Sequence, residues 1–122
     1  MNEHAMSVWS ELMTTEVEKA KDFYSRTLGV TFTQFDDSYH IAMVNGKPAW
    51  GIMDMTKRPP DGPSGWFTYL AVDDVDQRVK QAEAAGGELC MPVFDVPTVG
   101  RIAILRDPTG ALIGWMKPVM PS

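Results

Sequence analysis

The chain has 122 residues, 44% hydrophobic and 22% charged, with a net charge of −5, which is the size and composition of one ordinary globular domain with a buried core. Its eleven Lys and Arg are scattered rather than gathered into a basic stripe, and the acidic balance repels a phosphate backbone, so nucleic acid is not an expected partner. No apolar stretch approaches the ~20 residues of a membrane span, Met1 to His4 have neither the basic nor the apolar region of a secretion signal, and the single cysteine, Cys90, has no intrachain partner; a cytoplasmic protein is expected.

Taken along the chain, Val8 to Thr14 alternates apolar and polar residues and reads as a half-buried strand. Thr14 or Thr15 is placed to cap a helix running to about Thr27, with Glu16 and Glu18 suited to its positive end. Val17, Ala20, Phe23, Tyr24 and Leu28 recur at helical spacing, and Gly29 supplies the stop. Three short runs follow, Thr31 to Phe35, Tyr39 to Val44 and Pro48 to Met53, with Asp36-Asp37 and Asn45-Gly46 as turns. Residues 57–64, rich in proline, read as a linker.

The second half repeats this order. Trp66 to Val72 reads as a strand, and Val75 to Ala85, with Asp73 or Asp74 before it, as a helix closed by Gly86-Gly87. Glu88 to Val96, Arg101 to Arg106 and Ala111 to Lys117 read as strands, with Asp107-Pro-Thr-Gly110 as a turn. A shift of 58 residues sets Trp9–Val17 on Phe67–Val75, pairing Leu12 with Leu70, Glu16 with Asp74 and Gly29 with Gly87. At a shift of 63, Ala49–Met53 falls on Leu112–Met116, so the second half carries five extra residues in between. The expected fold is therefore α+β: one domain over 1–122, built from two βαβββ repeats, about 6–56 and 65–118, forming curved mixed sheets around a cleft.

Four stretches on this frame, Phe23-Tyr24-Ser-Arg-Thr-Leu28-Gly29, Ala71-Val72-Asp73-Asp74-Val75, Ala85-Gly86-Gly87 and Asp107-Pro108-Thr109-Gly110, resemble the signatures of the vicinal oxygen chelate superfamily, which includes glyoxalase I, bleomycin-resistance proteins and ring-cleaving dioxygenases. The resemblance runs from about Val8 to Pro118. Metalloenzymes of that superfamily hold a divalent ion with one side chain early on the first strand and one on the last strand of each half. The resemblance carries those positions onto Trp9, Gly51, Phe67 and Gly114. An indole, a phenyl ring and two glycines offer no carboxylate, imidazole or thiolate, so neither a metal nor another cofactor is expected.

Two aromatic residues at one equivalent pair and two glycines at the other suggest a slot, with the glycines leaving room. Alternation assigns Trp9, Glu11 and Met13, with Phe67, Tyr69 and Ala71, to the cleft face, joined by Met53 and Met116, while Leu12 and Leu70 turn toward the helices. The candidate ligand-binding residues are Trp9, Glu11, Gly51, Met53, Phe67, Tyr69, Gly114 and Met116, and the candidate catalytic residues are Glu11 and Tyr69. A carboxylate on an apolar strand face is at a wet edge, paired or functional. Tyr69 is its repeat partner and a candidate hydrogen-bond partner across the cleft. Alternatively, Trp9 and Phe67 are core aromatics. His40 reads as structural, Cys90 as a buried inert thiol, and Arg101 and Arg106 as solvated strand ends or as anion contacts.

Three readings of function stand. The first is a metal-independent protein of the bleomycin-resistance kind, binding and sequestering an apolar or aromatic small molecule. The second is a cofactor-free lyase or isomerase using Glu11 as general base with Tyr69 assisting. The third is an interaction or regulatory module tuned by its ligand. A homodimer is expected under all three, because the superfamily commonly dimerises and exposed sheet edges want covering.

Overall fold

The computed structural model describes residues 3–57 and 64–119. Residues 58–63, most of the expected linker, lie outside the described residues. The elements follow the order β1 (Ser7–Thr14), α1 (Val17–Leu28), β2 (Thr31–Asp36), β3 (Tyr39–Val44), β4 (Lys47–Asp54), β5 (Gly65–Ala71), α2 (Val75–Ala84), β6 (Glu88–Leu89), β7 (Phe94–Val96), β8 (Gly100–Arg106) and β9 (Leu112–Pro118). The fold is α+β, as the repeat implies. No helix among the described residues is long and apolar enough to cross a membrane.

The two helices start differently. Asp74 takes the N-cap of α2 and its carboxylate accepts from the Gln77 amide at 3.1 Å, the usual way of satisfying a first-turn donor. In α1 the expected threonine cap does not form. Glu16 occupies the N-cap with no side-chain capping bond, and Thr14 Oγ1 instead accepts from the Glu16 amide at 3.0 Å. At the other end Gly29, at φ 73°, takes the left-handed conformation that only glycine adopts without strain and donates to the Ser25 carbonyl.

The expected strand Glu88 to Val96 is broken into β6 and β7. Both pair antiparallel with β8, Leu89 opposite Leu105 and Phe94 opposite Ile102, and between them the Cys90 amide still donates to the Ile104 carbonyl at 2.9 Å. Pro92 has no N–H to continue a ladder, so the chain bulges there. The hairpins that follow keep one register in both halves, Ile41 opposite Gly51 and Ile104 opposite Gly114. The five extra residues of the second half therefore lie ahead of β8, in this broken edge.

The chain forms two compact units, Trp9–Phe67 and Met1–Val8 with Thr68–Ser122. The boundary of these compact units falls within β1 and β5. The reason is that the segment ahead of β1 is tied to the end of β5, with the Ala5 amide donating to the Ala71 carbonyl at 2.7 Å and the Ala71 amide to the Met6 carbonyl at 2.8 Å. In the first unit the strand order is β2-β3-β4-β1, antiparallel except that β1 and β4 run parallel. Helix α1 packs on the face carrying Trp50, whose indole meets the Tyr24 ring edge-on at 5.2 Å. In the second unit the order is β5-β9-β8-β6, with β7 also on β8 and β5 parallel to β9. Val75 and Val79 of α2 pack with Val72, Ala103 and Leu105, flanked by Ile113 and Trp115.

Leu105 is 1% exposed in that cluster. Leu105→Ala should lower unfolding free energy by ~2–5 kcal/mol, through lost transfer energy and the cavity left behind. Denaturant unfolding checks this, and a loss below ~1 kcal/mol would show that α2 is not held by this cluster.

Candidate functional site

Parallel pairing of β1 with β4 puts Glu11 beside Gly51 and Met13 beside Met53, and the β3–β4 hairpin adds Ile41 beside Gly51 and Tyr39 beside Met53. Side chains that pair this way share a face. Trp9, Glu11, Met13, Tyr39, Gly51 and Met53 therefore line the face of the first unit opposite α1, as alternation requires. Leu12, His40, Trp50 and Ile52 point the other way. In the second unit Tyr69 pairs with Gly114 and Ala71 with Met116, while Leu70 pairs with Trp115 of the α2-packed core.

The expected slot above Gly51 is not open. Tyr39 lies over this glycine so closely that a Cβ there would fall inside its phenol. The Trp9 indole N–H donates to Tyr39 Oη at 2.7 Å. Gly51 is thus the space that Tyr39 needs, and Trp9 holds Tyr39 in it. Sequence reasoning missed Tyr39, because its place over Gly51 depends on the β3–β4 register and no motif marks it.

The remaining candidates are buried except Met53, which is half-buried. Glu11 is 2% exposed, Phe67 5%, Tyr69 6% and Met116 7%, and the Glu11 carboxylate is not without a partner. The metal positions fail on chemistry: Trp9, Gly51, Phe67 and Gly114 bring no donor, and among the described residues no three His, Cys, Asp or Glu come together in an arrangement that could hold an ion. A divalent metal of the superfamily kind does not fit here.

Other candidates are committed elsewhere. The Arg101 guanidinium bridges Asp76 and Asp95 at 2.9 Å each, tying α2 to β7. Arg106 donates to the Gly110 carbonyl at 3.0 Å. Neither is poised for an anion. Cys90, expected to be buried, is half-buried because it sits at the β6–β7 break. His40 is 9% exposed and its Nδ1 has no hydrogen-bond partner. The sequence reading as an ordinary structural histidine supplies no partner for that atom.

Gly51→Ala should destabilise the fold by ~1–3 kcal/mol, because the methyl group collides with a ring that has nowhere to go. Adding Tyr39→Ala should recover most of that loss, and the double-variant cycle in denaturant unfolding measures the coupling. Additive losses would show that Tyr39 does not fill the Gly51 space.

The family model of the Glyoxalase/Bleomycin resistance protein/Dioxygenase superfamily matches residues 3–114. "Putative glyoxylase CFP32" of Mycobacterium bovis is 34% identical over 122 residues, covering 97% of this chain and 46% of its own length. "Anthracycline biosynthesis protein DnrV" of Streptomyces peucetius is 33% identical over 129 residues, covering 92% of this chain and 47% of its own length. The chain thus spans less than half the length of these relatives. Among solved structures, methylmalonyl-CoA epimerase of Mycobacterium tuberculosis superposes with a TM-score of 0.63 at 17% identity, over 93% of this chain and 88% of that one, a likeness of fold.

Proposed function

Since this chain belongs to the Glyoxalase/Bleomycin resistance protein/Dioxygenase superfamily, we propose that it is a metal-independent member that binds and sequesters an apolar or aromatic small molecule. The observation that carries this reading is the Trp9–Tyr39 pair over Gly51, where hydrogen-bonded aromatic rings stand at positions the superfamily's metalloenzymes give to metal ligands. Rigid aromatic side chains with a polar handle suit flat apolar ligands. The candidate ligand-binding residues that this reading keeps are Trp9, Glu11, Gly51, Met53, Phe67, Tyr69, Gly114 and Met116. Gly51 serves by admitting Tyr39, and Gly114 by leaving volume for the ligand. The name of DnrV, a protein of anthracycline biosynthesis, agrees with an aromatic ligand. The proposal takes a cytoplasmic setting with no nucleic-acid or membrane partner; the acidic balance and scattered Lys and Arg support the absence of nucleic acid.

One observation favours a second reading. Glu11 is 2% exposed on this face, and a carboxylate taken out of water is the kind of group that moves protons. A cofactor-free lyase or isomerase would use Glu11 as general base with Tyr69 assisting. Turnover that is lost in Glu11→Gln while binding persists would favour this reading over sequestration. The third reading, a regulatory module, has no observation of its own.

Titration of the chelator-treated protein with alizarin, a polycyclic aromatic probe, should quench tryptophan fluorescence to saturation, equally with and without added zinc. Gly114→Trp should abolish the quenching while retaining a cooperative melt. Binding that requires zinc, or one metal per chain by elemental analysis, would overturn the proposal, as would a Gly114→Trp protein that binds normally.

A homodimer belongs to the same proposal. Phe23, Leu28 and Trp66 of the first unit are each more than half exposed, apolar area that a second copy would cover. Sedimentation equilibrium should return twice the chain mass at micromolar concentration; a monomer mass alone would refute it.

A further inference from the structure

In the first unit a histidine holds the place that an alanine holds in the second. By hairpin register His40 corresponds to Ala103, which is fully buried in the cluster that packs with α2. His40 is buried on the α1 face of β3, and its Nδ1 is sealed from solvent without a hydrogen-bond partner. We propose that His40 is an acid-sensitive latch for α1: neutral, it lets the helix pack on the sheet, and protonated, it loosens the helix from its N-terminal end.

A neutral imidazole has one N–H and one lone pair. With the proton on Nε2, the sealed Nδ1 keeps an idle lone pair, which costs less than a donor without an acceptor. A second proton has only Nδ1 to go to. An imidazolium here therefore loses solvation and also leaves a sealed N–H unpaired, two penalties that the unfolded chain does not meet.

The surrounding charges do not reverse this. From α1 the Lys21 ammonium repels a charged ring while the Glu18 carboxylate attracts it, and after β4 Lys57 repels it and Asp54 attracts it. Glu16, Lys19 and Asp37 line the same depression as the ring. Of the acids, Glu18 is paired with Lys21 at 3.5 Å and Glu16 with Lys19 at 3.0 Å, and Asp54 accepts from the Thr56 amide and hydroxyl at 2.9 and 2.6 Å. Lys21 is itself held in place, by Glu18 and by the Phe32 ring, whose centroid lies 5.9 Å from Nζ. Burial first, and then Lys21, hold the His40 pKa below its ordinary 6.5.

A histidine whose folded pKa lies below its unfolded one stabilises the fold above the unfolded value, and that stability is lost as pH falls through it towards the folded value. Helix α1 is the element to give way, because its N-cap residue, Glu16, makes no side-chain capping bond. By contrast α2 is capped by Asp74 and packs with Ala103, which carries no charge at any pH. Mild acidity therefore acts on one helix and spares the other. The strand it reaches, β3, also carries Tyr39 over Gly51.

Two measurements on the full chain test this. Imidazole NMR should show a ring signal, missing in His40→Gln, that titrates with a midpoint below 6.5. Amide hydrogen exchange, corrected for the intrinsic effect of pH, should show α1 opening severalfold more often at about pH 5.5 than at about pH 7.5, with α2 unchanged. His40→Gln, which keeps a neutral polar side chain there, should hold α1 equally at both pH values. Lys21→Gln removes a cation beside the ring; it should move the midpoint up and shrink the α1 response, and it decides the matter if His40→Gln does not fold. A midpoint at or above 6.5, α1 and α2 loosening together, an acid response that survives His40→Gln, or a midpoint that Lys21→Gln leaves in place would overturn the proposal.

Discussion

In each unit the first strand lies parallel to the last, β1 on β4 and β5 on β9, and the arrangement of side chains follows from that pairing. A parallel neighbour needs a crossover, which the helix supplies, and a right-handed crossover places the helix on one face of the sheet. Every other strand position is then turned away from the helix. Glu11 meets Gly51 and Tyr69 meets Gly114 because both strands present the same parity at the same height. A slip of one residue would send Glu11 into the α1 interface and bring Leu12 out, a double penalty of buried charge and lost apolar contact.

Within that frame the two units use the same positions differently. Tyr39 and Ile102 are equivalent by hairpin register, but only Tyr39 carries a hydroxyl, and it receives the Trp9 indole N–H. The glycine beside it gives up its own side-chain volume so that a phenol from the adjacent strand can lie flat, which is how close-packed interiors accommodate a large ring. On the opposite face the contrast recurs: Ala103 completes an apolar cluster around α2, whereas His40 brings an imidazole whose Nδ1 is unpartnered. The metal-ligand positions of the superfamily carry no donors here, and two of the polar side chains buried among the described residues, Glu11 and His40, stand on opposite faces of one sheet.

Much of this was legible in the sequence because it is local or periodic. Period-two alternation in Val8–Thr14 and Trp66–Val72 assigns faces without a structure, Asn45-Gly46 announces a turn that the backbone makes with positive φ at both residues, and the 58-residue repeat yields the element order. The absence of metal ligands at Trp9, Gly51, Phe67 and Gly114 is likewise a statement about residue types. What the tertiary structure alone decided is where volume and hydrogen bonds go once strands distant in sequence are brought together. A glycine inside a strand reads as open space until its neighbour across the ladder is known, and at Gly51 that neighbour's ring fills it. A threonine ahead of a helix reads as a cap until the backbone angle at Glu16 is set, and there the hydroxyl turns to Glu16 instead. A histidine in a strand reads as satisfied until its surroundings are counted, because partners come from other elements and leave no trace in spacing. Composition and periodicity determine which face a residue takes; only the folded neighbours determine whether that place is empty, filled or unsatisfied.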